Sequence, residues 1–224
     1  MEILQKQGVA TLDRPRLIAA SEILSGGMRT VLTRAGPRIR KLRRALLSQL
    51  GLAAVVQYQP LQMRNAREYI LDLLSDPEEP TNINDPDVQG MKLYMSRFTK
   101  YMPVGSHVVD GWPILKYVPF VTSDLRRWHR EETSFYKRLI NNIRDKMAAH
   151  IAQPCFTSYL LEHQQQFDLN DNELGFLTGS MYGAGSETTA AALMFMVMAA
   201  AKYPEEAAKV RTQLDAIIGH SRRM

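Results

Sequence analysis

The part of the chain whose residue types could do chemistry most directly is 183–189, which reads G-A-G-S-E-T-T within an otherwise apolar stretch. A carboxylate such as that of Glu187 is costly to bury unless it has a partner or a task. The hydroxyl of Thr188 can face a cavity or bind the carbonyl group one helical turn earlier. An acid beside a hydroxyl can pass protons, and the small residues Ala184 and Gly185 would let a flat ligand approach the backbone. These residues predict a proton relay beside a cavity.

A long helix is needed to position this segment, and its boundaries can be predicted. Asn170 is a favourable N-cap, and Glu173 follows three residues later, in the spacing of a capping box. No proline follows until Pro204. The spacing therefore predicts a central helix over about residues 171–202, about 50 Å long at 1.5 Å per residue.

Glycine recurs every four residues along this helix, at Gly175, Gly179 and Gly183, and Gly185 follows. Each glycine inside a helix costs about 1 kcal/mol relative to alanine, so this set needs a reason. Small residues at this spacing suit close packing against another helix, and they suit contact with a ligand equally well. The spacing alone leaves both interpretations open.

Helical spacing dominates the rest of the chain as well. Further helices are predicted at 15–24, 38–49, 60–74, 88–101, 124–149, 154–165 and 204–218, the last of them ended by Gly219. Residues 77–86 read as a polar loop, and the proline-rich stretch 103–119 reads as an apolar loop. No segment is confidently identified as a strand, so the fold class is predicted to be all-α.

Composition narrows the class of protein. The 224 residues are 45% apolar, which is enough for a sizeable core. A single cysteine excludes an internal disulfide framework and favours a reducing compartment. Residues 1–17 hold no apolar run fit for a signal peptide, and the longest apolar run, 190–201, is shorter than the roughly 20 residues that cross a bilayer. We therefore expect a soluble or peripheral protein without a signal peptide or transmembrane segment.

The segment 184–189 (A-G-S-E-T-T) resembles a known motif, (A or G)-G-x-(D or E)-T-(T or S). This is the oxygen-activation motif in the central helix of the cytochrome P-450 superfamily. Other stretches resemble the family, in its order and mostly its fungal members: Y-x-P-x-Q at 58–62, D-x-x-P-x-L-K within 104–119, W-H-x-E-E at 128–132 and Y-P-E at 203–205. The resemblance covers about residues 14–219, and it implies that 1–224 is a single partial domain, the helical centre of that fold.

The resemblance also implies a function, haem-dependent monooxygenation. The fungal members that the motifs resemble suggest a role in secondary metabolism. One atom of dioxygen would be inserted into a small organic substrate, with electrons from an NADPH-dependent reductase. Thr188 would hydrogen-bond the activated oxygen and Glu187 would help to deliver protons, while Ala184 and Gly185 would let dioxygen and substrate lie against the helix. The implied location is the cytoplasm or the cytosolic face of the endoplasmic reticulum, with peripheral membrane contact.

Basic residues dominate the stretch 29–44, which contains seven of them and no acid. Arg40 and Arg43 fall where the family has W-R-x-x-R, whose last arginine pairs with a haem propionate, and Ile39 stands at the tryptophan position. A guanidinium group suits such a carboxylate. The alternatives are a solvated basic face, or a surface for anionic lipid or nucleic acid. Because no aromatic residues are interleaved and no reading motif is present, we expect no nucleic-acid partner.

Cys155 is the only cysteine, and it is not in the glycine-rich loop F-x-x-G-x-R-x-C-x-G that ligates iron in the family. It is interpreted as a small buried hydrophobic residue. No glutamate has arginine three residues on, so the family's E-x-x-R is absent, and the histidines lack metal-ligand spacing. We therefore expect a truncated chain without thiolate-ligated haem and without turnover alone. The alternative is a non-catalytic helical protein, a pseudoenzyme or interaction module.

Overall fold

The computed structural model describes residues 13–75 and 85–219, and every regular element within these ranges is helical. The α-helices are α1 (Pro37–Leu50), α2 (Leu52–Val55), α3 (Gln59–Ser75), α4 (Pro86–Tyr101), α5 (Val108–Gly111), α6 (Pro119–Ala148), α7 (Phe156–Glu162), α8 (Asp171–Lys202) and α9 (Pro204–Ile218). A π-helix spans Ile18–Leu24, and short 3-10 helices span Val56–Tyr58 and Pro113–Tyr117. The predicted all-α class is confirmed.

One predicted loop was partly wrong. The stretch 103–119 contains α5 and a 3-10 helix. His107 caps α5, because its Nδ1 accepts the backbone N–H of Val109 at 3.1 Å. Pro113 occupies the first turn of the 3-10 helix, where its missing N–H group is not needed. The other predicted loop, 77–86, lies mostly outside the described residues, and Pro86 begins α4.

The chain divides into two compact units, Met1–Met181 and Tyr182–Met224. The buried side chains of the described residues all belong to the first unit, where the apolar ones except Ile39 form three clusters. One joins α4, α6 and α8 and includes Met91, Phe98, Phe135, Tyr136 and Phe176. A second joins α1, α6, α7 and α8 through Leu42, Ile140, Leu160 and Leu177, and the third surrounds the π-helix through Ile18, Leu24, Val109 and Leu125. The interpretation of 1–224 as a single partial domain stays a prediction.

Helix α3 has the predicted amphipathic sequence, but no side chain of this helix is buried. Its apolar residues Leu61, Ile70 and Leu73 are all exposed. The local pattern therefore predicted the helix correctly. The pattern could not indicate whether another element packs against the apolar face.

The second unit consists of the later part of α8 and of α9. The apolar run 190–201 is exposed throughout. Among the residues that the structure describes, α8 is the one helix long and apolar enough to cross a membrane, by length and composition alone. The expectation that no segment could do so rested on the shorter run, whereas the wider part of α8 adds further small and apolar residues. The core helix of a soluble protein can meet the same two criteria.

Candidate functional site

The N-terminus of α8 is held by the predicted capping box. The backbone N–H of Glu173 donates to the Asn170 side chain at 2.9 Å, and the backbone N–H of Asn170 donates to the Glu173 carboxylate at 3.3 Å. The same carboxylate binds Lys41 at 2.9 Å and Arg38 at 3.2 Å, both from α1. The capping box therefore stabilises the first turn of α8 locally, and the two ion pairs join this turn to α1.

Asp171, the first residue of α8, is bound by a bidentate arginine. The guanidinium of Arg144 donates to its two carboxylate oxygens at 2.5 and 3.0 Å, and Gln164 donates at 2.9 Å. The hydrogen bonds from Arg144 and then Gln164 lower the pKa of Asp171 to about 2. A negative charge in the first turn of a helix is also favoured by the helix dipole.

The glycines of α8 serve different purposes. A Cβ atom at Gly179 would overlap the ring of Tyr136, 2.5 Å from its Cζ, and one at Gly175 would lie 3.0 Å from the Tyr136 Cβ. At Gly185, by contrast, a Cβ atom would meet nothing within 4 Å. Close helix packing therefore accounts for Gly175 and Gly179. Gly185 leaves open backbone, as contact with a ligand would require.

The four residues predicted to surround activated oxygen are all exposed on one segment of α8, namely Ala184, Gly185, Glu187 and Thr188. The hydroxyl of Thr188 donates to the carbonyl oxygen of Ala184 at 2.8 Å, which is one of the two conformations considered for it. Glu187 makes no hydrogen bond or ion pair with any other part of the chain that the structure describes. The geometry places a hydroxyl and an unpartnered carboxylate on adjacent residues, and their role as a proton relay stays a prediction.

Arg40 and Arg43 lie on α1 and are exposed, whereas Ile39, at the tryptophan position of the family motif, is buried. Neither arginine forms an ion pair within residues 13–75 and 85–219, and the same holds for the exposed Arg44. The other four basic residues of the stretch 29–44 each have a carboxylate partner: Arg29 with Glu132, Arg34 with Asp13, and Arg38 and Lys41 with Glu173. The stretch is therefore not one uniform solvated face.

Sequence reasoning missed a buried polar network that begins in this stretch. Arg29 forms an ion pair with Glu132, and Tyr136 donates a hydrogen bond to the same carboxylate at 2.8 Å. The guanidinium of Arg29 lies 4.2 Å from the centre of the Phe98 ring. Burial raises the pKa of Glu132, which Arg29 opposes, and burial with the nearby carboxylate raises the pKa of Tyr136. No local signal distinguished Arg29, because the same lack of nearby acids holds for Arg40 and Arg43, which are exposed.

The D-x-x-P-x-L-K motif binds the π-helix. The Asp110 carboxylate accepts the backbone N–H groups of Ile18 and Ala19 at 2.7 and 2.9 Å, in the first turn of the π-helix. Lys116 forms an ion pair of 2.5 Å with Glu22 in its middle. The two charged residues of the motif therefore fasten the 108–117 segment along the π-helix.

The W-H-x-E-E motif reaches the other end of the π-helix. His129 donates from Nδ1 to the carbonyl oxygen of Leu24 at 2.9 Å. A Cβ atom at Gly26, whose φ is +55°, would lie 2.9 Å from the His129 ring, so glycine suits this turn on two counts. Glu131 pairs with Arg97 on α4 at 2.6 Å. Both motifs thus have structural contacts in this chain.

Cys155 is exposed, and its interpretation as a buried hydrophobic residue was wrong. It is the N-cap of α7, where its thiol accepts the backbone N–H of Ser158 at 3.4 Å and its own N–H donates to the Ser158 hydroxyl at 2.9 Å. The extended backbone at the start of a helix directs the thiol to the first helical turn rather than into the core.

Comparisons with known proteins agree with the motifs. Residues 78–224 match the family model for cytochrome P-450. Cytochrome P-450 monooxygenases 113 and 64 of Postia placenta are 41% and 40% identical to the chain, over 99% of it and 49% of each relative. A cytochrome P-450 monooxygenase of Armillaria gallica is 29% identical, over 99% of the chain and 47% of the relative. The chain spans about half the length of these curated relatives.

No solved structure matches the chain at a significant level. The family match nevertheless covers more than half of the chain, and it includes the whole of α8 and the residues of the oxygen-activation motif. This chain therefore belongs to the cytochrome P-450 family.

Proposed function

We propose that this chain supplies the oxygen side of a haem-dependent monooxygenase, which inserts one atom of dioxygen into a small organic substrate. The observation that carries the proposal is the exposed segment of α8, where Thr188, with its hydroxyl on the Ala184 carbonyl, directly follows Glu187, whose carboxylate has no partner among the described residues. Bound haem supplies the iron centre at which dioxygen is activated, with electrons from an NADPH-dependent reductase.

Two separate sets of residues support the proposal, one on α8 for the oxygen side of a haem and one on α1 for its propionates. Because a Cβ atom at Gly185 would meet nothing within 4 Å, a flat ring can approach the helix there. Arg40 and Arg43 are three residues apart on α1, a spacing that brings side chains to the same face of a helix. Both are exposed and unpaired within the described ranges, so both can bind an anionic group. Arg43 is the stronger candidate, because it stands at the last arginine of the motif.

The side chains of Thr188 and Glu187 on α8 would donate and accept protons. In the observed rotamer the Thr188 hydroxyl donates its one proton to the carbonyl of Ala184, and its lone pairs are free to accept. It can donate to a ligand oxygen by rotating away from that carbonyl. Glu187 is exposed, so its carboxylate can take protons from solvent and pass them to the hydroxyl. Because Ala184 and Gly185 have small side chains or none, they leave room for a ligand on this exposed part of α8.

No cysteine of this chain fits the role of a thiolate ligand to haem iron. Cys155 caps α7 through Ser158 and lies outside any glycine-rich loop. We expect a polypeptide of these 224 residues to bind no haem through a thiolate and to show no turnover. The test is to add haem, dithionite and carbon monoxide to the purified chain and to record the absorption spectrum. A thiolate-type Soret band would overturn the expectation that no thiolate binds haem.

A chimera tests the function itself. The chain replaces the matched half of Postia placenta monooxygenase 113, to which it is 41% identical. We expect the reduced chimera to show a thiolate-type Soret band with carbon monoxide. With a reductase and NADPH, we expect the chimera to form hydroxylated product. A matched Glu187→Gln chimera should keep the band and lose product. A folded chimera that binds haem but forms no product with any substrate of the parent would contradict the proposal.

We also infer peripheral contact with the cytosolic face of the endoplasmic reticulum, through three exposed aromatic residues and one exposed isoleucine within residues 112–120. Trp112, Ile114, Tyr117 and Phe120 are 69%, 74%, 79% and 81% exposed. Aromatic side chains with a polar edge favour the interface between lipid and water.

Vesicle sedimentation tests this contact. The double variant Trp112→Ser with Phe120→Ser should bind neutral vesicles at least tenfold more weakly, with little dependence on salt. Leu71→Ser, which removes an apolar side chain that is 62% exposed on α3, is the matched control and should bind as the unmodified chain does. A steep loss with salt would instead favour attraction between basic residues and anionic lipid.

A further inference from the structure

A small cavity in the first unit is lined mainly by basic side chains. It has a volume of about 280 Å³ and lies between the π-helix, the 3-10 helix that precedes α6, and α6 itself. Its basic lining consists of Lys116, Arg126, His129 and Arg130. Among the described residues that line it, Glu22 is the one acid. Three permanent cations from two elements therefore lie around the same small space.

Glu22 does not balance this charge. One of its carboxylate oxygens lies 2.6 Å from Arg16 and the other lies 2.5 Å from Lys116. Counting Arg16, four cations stand against a single carboxylate. Neither Arg126 nor Arg130 forms an ion pair within the part of the chain that the structure describes. A cleft with such an excess of one sign of charge attracts ions of the opposite sign.

The guanidinium of Arg126 is held in place before any ligand binds. Its Nε donates to the Thr122 hydroxyl at 3.1 Å, and its Nη2 donates to the backbone carbonyl of Lys116 at 2.9 Å. A guanidinium carries five N–H groups, so three remain for a ligand beyond these two bonds. Because the planar group is already fixed, less conformational entropy is lost when an anion binds to it.

His129 adds a ring nitrogen to the same cavity. Its Nδ1 lies 2.9 Å from the carbonyl oxygen of Leu24, which can only accept, so the proton of the neutral ring is on Nδ1. Nε2 has no hydrogen-bond partner among the described residues. Gly26 leaves space beside it, since a Cβ atom there would lie 3.4 Å from Nε2. The cavity therefore offers one hydrogen-bond acceptor as well as several charged donors.

We propose that this cavity binds a phosphate group in the form of a phosphomonoester or free phosphate. The oxygens of a phosphate are strong acceptors and match the N–H groups of Lys116, Arg126 and Arg130. The singly protonated form also has an O–H group, which can donate to Nε2 of His129. A carboxylate or a sulfate has no such donor, so phosphate uses the whole lining. This inference does not depend on haem or on the proposed monooxygenase activity.

Nuclear magnetic resonance of the 224-residue chain with isotope-labelled histidine tests the site. Inorganic phosphate replaces chloride at constant ionic strength, so that general screening does not change. We expect the ring signals of His129 to shift and saturate, with a Kd of about 1 mM or tighter. The signals of His107 and His163, which do not line the cavity, should stay where they are. No response of His129 to phosphate would overturn the proposal.

Arg130→Gln is the decisive variant, because Arg130 is exposed and unpaired in the described ranges, so that its loss leaves the fold intact. It should raise the Kd for phosphate about two- to fivefold, as for an exposed ion pair. Arg126→Gln together with Arg130→Gln should raise it about tenfold or more. Arg44→Gln is the matched control, since Arg44 is also exposed and unpaired there but does not line the cavity. An unchanged Kd in Arg130→Gln, or an equal rise in Arg44→Gln, would refute the site.

The phosphate group has two sources, a phospholipid headgroup and a soluble phosphate compound, and vesicle sedimentation distinguishes them. Trp112 and Tyr117, in the same segment as Lys116, are 69% and 79% exposed, which suits a headgroup at the lipid interface. Phosphatidylcholine vesicles are prepared with either phosphatidic acid, a phosphomonoester, or phosphatidylserine, a phosphodiester.

If the headgroup is the ligand, the chain should bind the vesicles with phosphatidic acid more tightly, and the double variant of Arg126 and Arg130 should lose this excess. Equal binding to both vesicles, with His129 responding to free phosphate, would assign a soluble phosphate compound to the same site. Because no haem takes part in these measurements, their failure leaves the chimera test of the proposed function untouched.

Discussion

The hydroxyl of Thr188 donates a hydrogen bond to the carbonyl oxygen of Ala184, 2.8 Å away and one turn earlier in α8. The bond is internal to an exposed stretch of helix, so it contributes little to the free energy of unfolding. Thr188 directly follows Glu187, the acid of the oxygen-activation motif. Stability and chemistry can therefore be separated experimentally at this position.

Replacing Thr188 by alanine should change product formation far more than stability. In the chimera with monooxygenase 113, we expect Thr188→Ala to form at least about tenfold less product per NADPH, because a positioned proton donor typically accelerates a step by about 100-fold or more. The free energy of unfolding should change by about 0.5 kcal/mol or less, as for other exposed sites. Thr188→Ser keeps the hydroxyl and should retain most product. Equal losses in the serine and alanine variants would contradict a role for the hydroxyl.

Arg43 should matter for haem binding and its neighbour Arg44 should not. Both are exposed arginines of α1 without an ion pair in the described ranges, so the two variants remove the same charge. A hydrogen bond to a charged group contributes about 1.5–3 kcal/mol, so Arg43→Gln should weaken haem binding by the chimera about 10- to 100-fold. Titration followed at the Soret band measures the affinity. Similar affinities for Arg43→Gln and Arg44→Gln would refute the assignment, and Arg40→Gln is expected to fall between them.

Alanine should have opposite effects at two glycines of α8. Gly185→Ala meets no neighbour, so the free energy of unfolding should rise by about 0.5–1 kcal/mol through the better helix propensity of alanine. Gly179→Ala overlaps the Tyr136 ring and should lower the free energy of unfolding by about 1–3 kcal/mol. Urea unfolding of the two variants measures both. Changes of the same sign at both positions would show that Tyr136 does not pack tightly against Gly179.

The Asp171 carboxylate should make part of the stability sensitive to acid. Its pKa is lowered from the ordinary 3.8 to about 2 by Arg144 and Gln164, so the folded chain binds this proton less readily than the unfolded chain. The stabilisation is complete above the unfolded pKa and is lost as the pH falls from about 4 towards 2.

We expect the difference in the free energy of unfolding between the unmodified chain and Asp171→Asn to be about 0.2–1 kcal/mol at pH 6, because the pair is partly exposed to solvent. The difference should shrink as the pH is lowered to 2. Asp168→Asn is the control, since Asp168 has an exposed side chain whose oxygen lies 3.6 Å from Lys41. A difference that stayed constant with pH would rule out the ionised pair as its source.

Features that depend on neighbours in sequence were predicted well. The capping box of Asn170 and Glu173 formed, and the helix it starts ends at Lys202, before the proline at 204, as expected. Gly219 ends α9 with a φ of +73°. Cys155 was misjudged because composition favours burial of cysteine, whereas its place just before α7 turned the thiol towards the helix end.

By itself the sequence determined the helical class, the extent of α8 and the family, because caps, prolines and motifs are local patterns read within a few residues. Only the tertiary structure decided which glycines pack and which stay open. Tyr136 is about 40 positions from Gly179, and nothing in the spacing of the glycines names it. Likewise Arg29 forms its ion pair with Glu132, which is 103 residues away in the sequence. Close packing and charge pairing depend on which distant elements meet, and that is set by the whole fold.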